Sequence, residues 1–212
     1  MEKAIQIFIY VHAASGGIAL IAGLVSMIAR KGKKIHKKSG LIFFYSMTFS
    51  GITAMLISIL PNHQSPFLFA IGIFSLYFVI TGKRALNLKK QNPNLAVDKA
   101  ISIVMIITGL AMLLLPILLS QTNIILAVFG TVGIVFSIRD LKLFLNPVGL
   151  QNTWLKLHLG KTKGGYISAT TAFVVVGNYL PGIYGWFVPG IIGSFIIAYW
   201  TRKVGLTSVS NI

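Results

Sequence analysis

His12, His36, Asp140 and His158 are the side chains of this sequence with the widest choice of chemistry. An imidazole carries a proton near neutral pH or binds a metal, and a carboxylate is an alternative metal ligand. His36 lies among six cations in the stretch RKGKKIHKKSG, directly after a long apolar run. If the segments holding His36, Asp140 and His158 meet, they offer three ligands to a divalent metal with one position open. Alternatively, both histidines lie near lipid headgroups and Asp140 pairs with a cation.

His12 lies about eight residues into the first apolar run, a depth at which ionisable residues usually face the interior of a helix bundle. Three interpretations are open: a hydrogen bond to another helix, a solute or proton site, and an axial haem ligand. Haem is the least supported cofactor, because no other histidine lies within an apolar run and a methionine such as Met55 would have to serve as second ligand. The sequence predicts an intramembrane polar site formed by His12, Tyr166, Thr171 and Asn178.

The composition indicates that a membrane surrounds these residues. The chain is 55% hydrophobic and 10% charged, and its mean hydropathy is +0.83. Its net charge of +16 falls in short clusters between apolar runs, which argues against nucleic-acid binding. The absence of cysteine excludes disulfides, thiolate metal sites and iron–sulfur clusters. No GxxxxGK[ST], GxGxxG, HExxH or GxSxG motif occurs.

Seven apolar runs are candidates for transmembrane helices, since a bilayer core of about 30 Å needs roughly 20 apolar residues per helix. The N-terminal run lacks the basic start and cleavage site of a signal peptide, and we expect it to be a retained first span. A short interfacial helix is predicted over about 149–160, with Trp154 at headgroup level. The fold is therefore predicted as all-α, one transmembrane domain over 1–212. The spans are approximately 4–29, 41–60, 66–82, 101–119, 123–139, 165–180 and 183–200.

The positive charges predict the orientation of these spans. Lysine and arginine number six in 30–40, five in 83–99, five in 139–163 and two in 202–203, whereas only Lys3 lies on the other side. Basic loops stay in the cytoplasm, so the N-terminus is predicted outside and the C-terminus inside a cell membrane. The lysines of the first basic loop set this orientation and are predicted to meet anionic lipid. They are Lys33, Lys34, Lys37 and Lys38.

An internal similarity links two of the junctions between basic loops and spans. HKKSGLIFFYSMT and HLGKTKGGYISATT each contain a histidine, basic residues, glycine, tyrosine, serine and threonine in that order. A parallel repeat would give three helices, a linker helix and three helices, the arrangement of some small facilitators. Alternatively, all junctions of this kind look alike.

Four stretches resemble a family of small multi-spanning bacterial membrane proteins of unknown function. They are VHAASGGIALIAGLVSMIARKGKKIHKKSGLIFFYSM, SIRDLK, WLKLHLGKTKGGYISATTAFVVVGNYLP and WFVPGIIGS. Ser168 stands where that family more often has alanine. The resemblance implies one membrane domain and no particular reaction. It marks, as polar positions of the family motifs, His12, His36, Asp140, His158, Tyr166, Thr171 and Asn178.

Three classes of function fit these features. The first is a permease for small solutes or ions, with His12 facing a cavity. Because no acidic residue lies deep in a predicted span, passive or histidine-linked transport is favoured over carboxylate-driven coupling. The second is a metal or haem protein, either redox or hydrolytic, that uses His12 or the group of His36, Asp140 and His158. The third is a non-catalytic protein whose basic face binds anionic lipid or a protein partner.

Overall fold

Seven α-helices form the described structure. The computed structural model describes residues 2–209 of the 212-residue chain, and within this range no β-strand is present. The predicted all-α fold is therefore confirmed. A 3-10 turn, Ala85–Asn87, follows the third helix. The helices are α1 (Glu2–Ile28), α2 (Lys34–Ile57), α3 (Pro66–Arg84), α4 (Ala96–Leu118), α5 (Ile124–Leu143), α6 (Pro147–Val176) and α7 (Tyr184–Val209).

Five of these helices, α1 to α5, are long and apolar enough to cross a membrane within the part of the chain that the structure describes. The shortest of these spans, Ile124–Leu143, has 20 residues, which at 1.5 Å per residue gives about 30 Å, the thickness of a hydrocarbon core. Many large apolar side chains on these helices are exposed, as expected where lipid is the solvent. These features indicate a multi-pass membrane protein. The predicted sixth and seventh spans lie mainly on α6 and α7, and their crossing stays a prediction.

α6 is a single helix of 30 residues rather than a short helix followed by a span. It begins where the Asn146 side chain accepts a hydrogen bond from the Gly149 amide and Pro147 occupies the first turn, a common start for a helix. The segment 149–160, predicted as a short interfacial helix, is helical and continues without a break to Val176. Its position at a membrane interface stays a prediction.

The helices divide into two compact units, residues 1–80 and 81–212. In the first unit α1 packs against α2, and in the second unit α4 packs against α5 and α6 against α7. The second unit also contains a small apolar cluster where the 3-10 turn meets the first half of α6. The buried members of this cluster are Ala85, Leu88, Phe144 and Leu150. The single-domain organisation stays a prediction.

Paired glycines allow α4 and α5 to approach closely. A Cβ atom built on Gly130 would lie 2.8 Å from the carbonyl oxygen of Gly109, and the reverse distance is also 2.8 Å. These distances are shorter than a side chain tolerates, so both positions require glycine. Small residues at such a crossing let the backbones of membrane helices pack directly.

Gly130→Ala is therefore expected to lower the free energy of unfolding by about 1–3 kcal/mol, because the new methyl group overpacks the crossing. The measurement is a denaturant titration in mixed micelles. Gly17→Ala is the matched control, since a Cβ atom there meets no atom within 4 Å and alanine is the better helix former. An equal loss of stability in the two variants would contradict the close approach of α4 and α5.

Candidate functional site

His12 joins α1 to α2. Its Nδ1 atom donates a hydrogen bond to the Ser50 carbonyl oxygen at 3.0 Å and lies 3.2 Å from Thr53 Oγ1. The carbonyl acceptor requires the proton on Nδ1 in the neutral ring. Of the three interpretations of His12, the hydrogen bond between helices is the one with a partner in the structure.

His12→Ala is expected to weaken the α1–α2 packing by about 0.6–1.7 kcal/mol, between the average and the maximum measured for hydrogen bonds between membrane helices. The free energy of unfolding in mixed micelles measures this change. Ser15→Ala is the control on the same helix, because the Ser15 hydroxyl donates only to the carbonyl of His12 within α1 among the contacts described. A His12 variant as stable as the Ser15 variant would show that the contact contributes nothing.

His36 makes a similar contact at the opposite end of α1. Its Nδ1 atom donates to the Ser26 carbonyl oxygen at 2.9 Å, and Lys31 Nζ donates to the same oxygen at 3.1 Å. Carbonyl groups in the last turn of a helix lack hydrogen-bond donors within the helix, and His36 and Lys31 supply donors for the Ser26 carbonyl.

The four lysines predicted to meet anionic lipid are all exposed. They are Lys33, Lys34, Lys37 and Lys38.

Asp140 on α5 and Lys161 on α6 form the more deeply buried of the two ion pairs in the described residues. Lys161 Nζ donates to Asp140 Oδ2 at 2.6 Å, and each side chain is about 95% buried. The Phe136 ring lies 5.2 Å from Lys161 Nζ and covers it with an aromatic face. Burial of a charged pair carries a large desolvation penalty, so such a pair is uncommon without a functional or structural requirement.

The buried environment of the pair makes the Lys161 ammonium group more acidic than an exposed lysine. Burial lowers the pKa of Lys161 from 10.5 to about 8, although the Asp140 carboxylate opposes the shift. Lys161 precedes the predicted sixth span by four residues. One turn before Asp140, the Ser137 hydroxyl is fully buried and has no hydrogen-bond partner among the described residues. Residues three apart share one face of a helix, so α5 presents this hydroxyl and the carboxylate on the same side.

Lys161 was not among the site residues predicted from the sequence, although the sequence contains a signal for it. Leu150, Trp154 and Leu157 form an apolar stripe at helical spacing, and Lys161 continues that stripe by four residues. A lysine on the apolar face of a helix is expected to be buried. Lys161 was instead counted with the basic residues of the 139–163 loop, which were interpreted as signals of membrane orientation.

His158 joins the first half of α6 to the end of α3. Its Nδ1 atom donates to the Gly82 carbonyl oxygen at 2.8 Å, and the Thr162 hydroxyl donates to the His158 carbonyl. A Cβ atom on Gly82 would lie 2.8 Å from the Thr162 backbone nitrogen, so the two helices touch through backbone atoms. His158 therefore holds α6 one turn before Lys161.

A second ion pair, also missed from the sequence, joins the end of α3 to the start of α4. Arg84 Nε and one terminal nitrogen donate to the two carboxylate oxygens of Asp98 at 2.8 and 2.6 Å. This two-point contact is the strongest geometry for such a pair. The Asp98 side chain is buried, whereas Arg84 is about one quarter exposed.

The described residues contain no group of three or more histidine, aspartate or glutamate side chains that could hold a metal ion. Asp140 binds Lys161 and His158 binds a backbone carbonyl, which engages both in other contacts. His36 belongs to the first unit and the other two residues to the second. A shared divalent metal site stays a prediction, as does haem.

The other members of the predicted intramembrane polar site lie on or after α6. Tyr166 is half-buried and Thr171 is buried. Asn178, predicted to bond across the bundle, is exposed and has a φ of 51° in the left-handed region that asparagine tolerates. The backbone N–H of Asn178 donates to the Val175 carbonyl oxygen at 3.1 Å, and this hydrogen bond helps to end α6.

No protein-family model, curated protein or solved structure matches the chain.

Proposed function

We propose that the chain is a permease for small ions or solutes in which proton exchange at Asp140 and Lys161 accompanies transport. The observation that carries the proposal is the ion pair itself, with a nitrogen-to-oxygen distance of 2.6 Å and both side chains buried. Asp140 lies within the candidate span Ile124–Leu143. Buried ionisable residues at such positions are typical of proton relays and ion pathways in membrane proteins.

The polar centre of the permease is then the ion pair of Asp140 and Lys161 and not His12. The sequence favoured histidine-linked transport because no acidic residue fell within a predicted span, and the fifth span was predicted to end at residue 139. The helix continues to Leu143, which brings Asp140 into the candidate span. His12 has a packing partner in α2, and we assign it to the stability of the first unit.

The proposed proton step is a transfer within the ion pair. The Lys161 ammonium transfers a proton to the Asp140 carboxylate at 2.6 Å, and the charged pair becomes a neutral amine and carboxylic acid. The amine then takes a proton from water on one side of the membrane and the acid releases its proton to water on the other side, which restores the charged pair. A neutral pair is less costly to hold in a buried site than a charged one. The Ser137 hydroxyl offers a further hydrogen bond to the exchanging proton or to a passing solute.

The arrangement in the membrane follows the basic loops. We propose seven crossings, with the N-terminus outside, the C-terminus inside and the ion pair near the cytoplasmic face of a cell membrane. Anionic lipids then meet the first basic loop. The resemblance to a family of small bacterial membrane proteins agrees with this arrangement and assigns no substrate.

The test is proton movement into proteoliposomes that contain a trapped pH-sensitive dye. Vesicles with potassium inside and sodium outside become negative inside when valinomycin is added, which draws protons inward. The full-length protein is expected to acidify the interior several-fold faster than protein-free vesicles do. The assay is run with and without an external mixture of amino acids, sugars and small carboxylic acids. A rate equal to that of protein-free vesicles under both conditions would contradict the proposal.

A further inference from the structure

One exposed face of α7, between Phe195 and Lys203, forms a groove. It has a volume of about 570 Å³ and is lined by Phe195, Ala198, Tyr199, Arg202 and Lys203. These positions are three or four residues apart or adjacent, so they share one side of the helix. The small Ala198 side chain leaves room between the larger groups. The groove is therefore apolar along most of its length and cationic at the end that faces the C-terminus.

Aromatic residues and further positive charge surround the cationic end. Lys203 Nζ lies 5.4 Å and Lys163 Nζ lies 5.1 Å from the centre of the Trp200 ring. The Tyr199 and Trp200 rings make an edge-to-face contact at 5.7 Å. Tyrosine and tryptophan beside lysine and arginine are typical of the boundary between hydrocarbon and headgroups.

The described acidic side chains lie in ion pairs away from this end of the groove. The sequence has three acidic residues, and Asp98 and Asp140 are paired with Arg84 and Lys161. The positive charge of Arg202 and Lys203 makes an anion the electrostatic complement of this end of the groove.

The apolar part of the groove indicates what that anion is attached to. Phe195 is 74% and Tyr199 is 61% exposed, which is unfavourable in water and favourable against an acyl chain. A free phosphate would contact the cations and leave both rings uncovered. A molecule with an anionic head and a hydrocarbon tail satisfies both ends of the groove.

We propose that this groove binds an anionic phospholipid, with the phosphate at Arg202 and Lys203 and an acyl chain along Phe195 and Tyr199 over Ala198. The site differs from the first basic loop, where exposed lysines offer charge without an apolar groove. The proposal does not depend on the function as a permease. It predicts lipid selectivity that is confined to one face of α7.

The test uses Trp200 as the reporter in the full-length protein. Trp154→Phe with Trp186→Phe leaves Trp200 as the single tryptophan. The protein is placed in phosphatidylcholine vesicles that contain a stepwise increasing mole fraction of either brominated phosphatidylglycerol or brominated phosphatidylcholine. We expect half-maximal quenching at a mole fraction of phosphatidylglycerol on the order of tenfold lower than that of phosphatidylcholine, since two cations contact the headgroup.

Arg202→Gln with Lys203→Gln is expected to abolish this preference, whereas the control, Lys33→Gln with Lys34→Gln, is expected to retain it. Equal quenching by the two lipids before these changes would overturn the proposal. So would a preference that persists in the Arg202 and Lys203 variant, or one that only the control removes. If the reporter protein does not fold, native mass spectrometry of the wild-type chain and the same two variants, each offered both lipids, gives the same comparison.

Discussion

Lys161→Arg is expected to abolish proton movement while leaving the protein folded. Arginine keeps the positive charge and donates two hydrogen bonds to a carboxylate, so the pairing with Asp140 persists. A guanidinium does not release its proton in the accessible pH range, whereas burial lowers the pKa of Lys161 to about 8. The expected loss is about 100-fold, within the range that a positioned proton donor contributes to proton-transfer reactions.

The measurement is the rate of acidification in proteoliposomes, and Lys163→Arg on the same helix is the matched control. Lys163 Nζ lies over the Trp200 ring, a contact that arginine also makes. The control is expected to move protons at the wild-type rate. Acidification by Lys161→Arg at that rate would place the proton pathway elsewhere, and equal losses in both variants would indicate a general effect of added guanidinium groups.

The pH profile gives a second measurement on the same proteins. Below a pH of about 8 the Lys161 amine carries a proton that it can transfer, and above that value it does not. The wild-type rate, measured at equal driving force, is therefore expected to fall as the pH rises through about 8. Lys163→Arg should show the same inflection, and Lys161→Arg should show none.

Helices α1 to α5 could be predicted from the sequence because each is dominated by a long apolar run that ends at basic or turn-forming residues. The run from 123 to 139 is an example, since Asn123 caps α5 and the helix follows directly. At its other end the helix continues four residues beyond the predicted end of the span. Arg139 and Asp140 look like the start of a polar loop, although Asp140 is buried by α6 and the helix extends to Leu143.

The candidate site was harder to predict because its partners are not visible as motifs. Asp140 and Lys161 are 21 residues apart and meet only when α5 and α6 pack. His12, His36 and His158 each donate to a backbone carbonyl of another helix, and a sequence does not show which carbonyls lie within reach. The histidines could be recognised as polar residues near helix contacts, and the spacing of Leu150, Trp154 and Leu157 could have identified Lys161.

Asp140→Asn is expected to lower the free energy of unfolding by about 3–5 kcal/mol, because it leaves a buried ammonium group without its carboxylate. The change is measured by denaturant titration in mixed micelles. Asp98→Asn is the control at the second ion pair. Arg84 is about one quarter exposed, so solvent or lipid headgroups can take over part of the lost interaction, and the expected loss is smaller.

Replacing both members of the buried pair separates stability from proton movement. Asp140→Leu combined with Lys161→Met fills the same space with apolar groups, and such exchanges are often neutral or stabilising by about 1–4 kcal/mol. The double variant should therefore be at least as stable as the wild-type protein and should move no protons. If the Asp140→Asn variant were as stable as the wild type, the ion pair between Asp140 and Lys161 would not form in the membrane. If the double variant still moved protons, the pair would have only a structural role, and transport would have to use other groups.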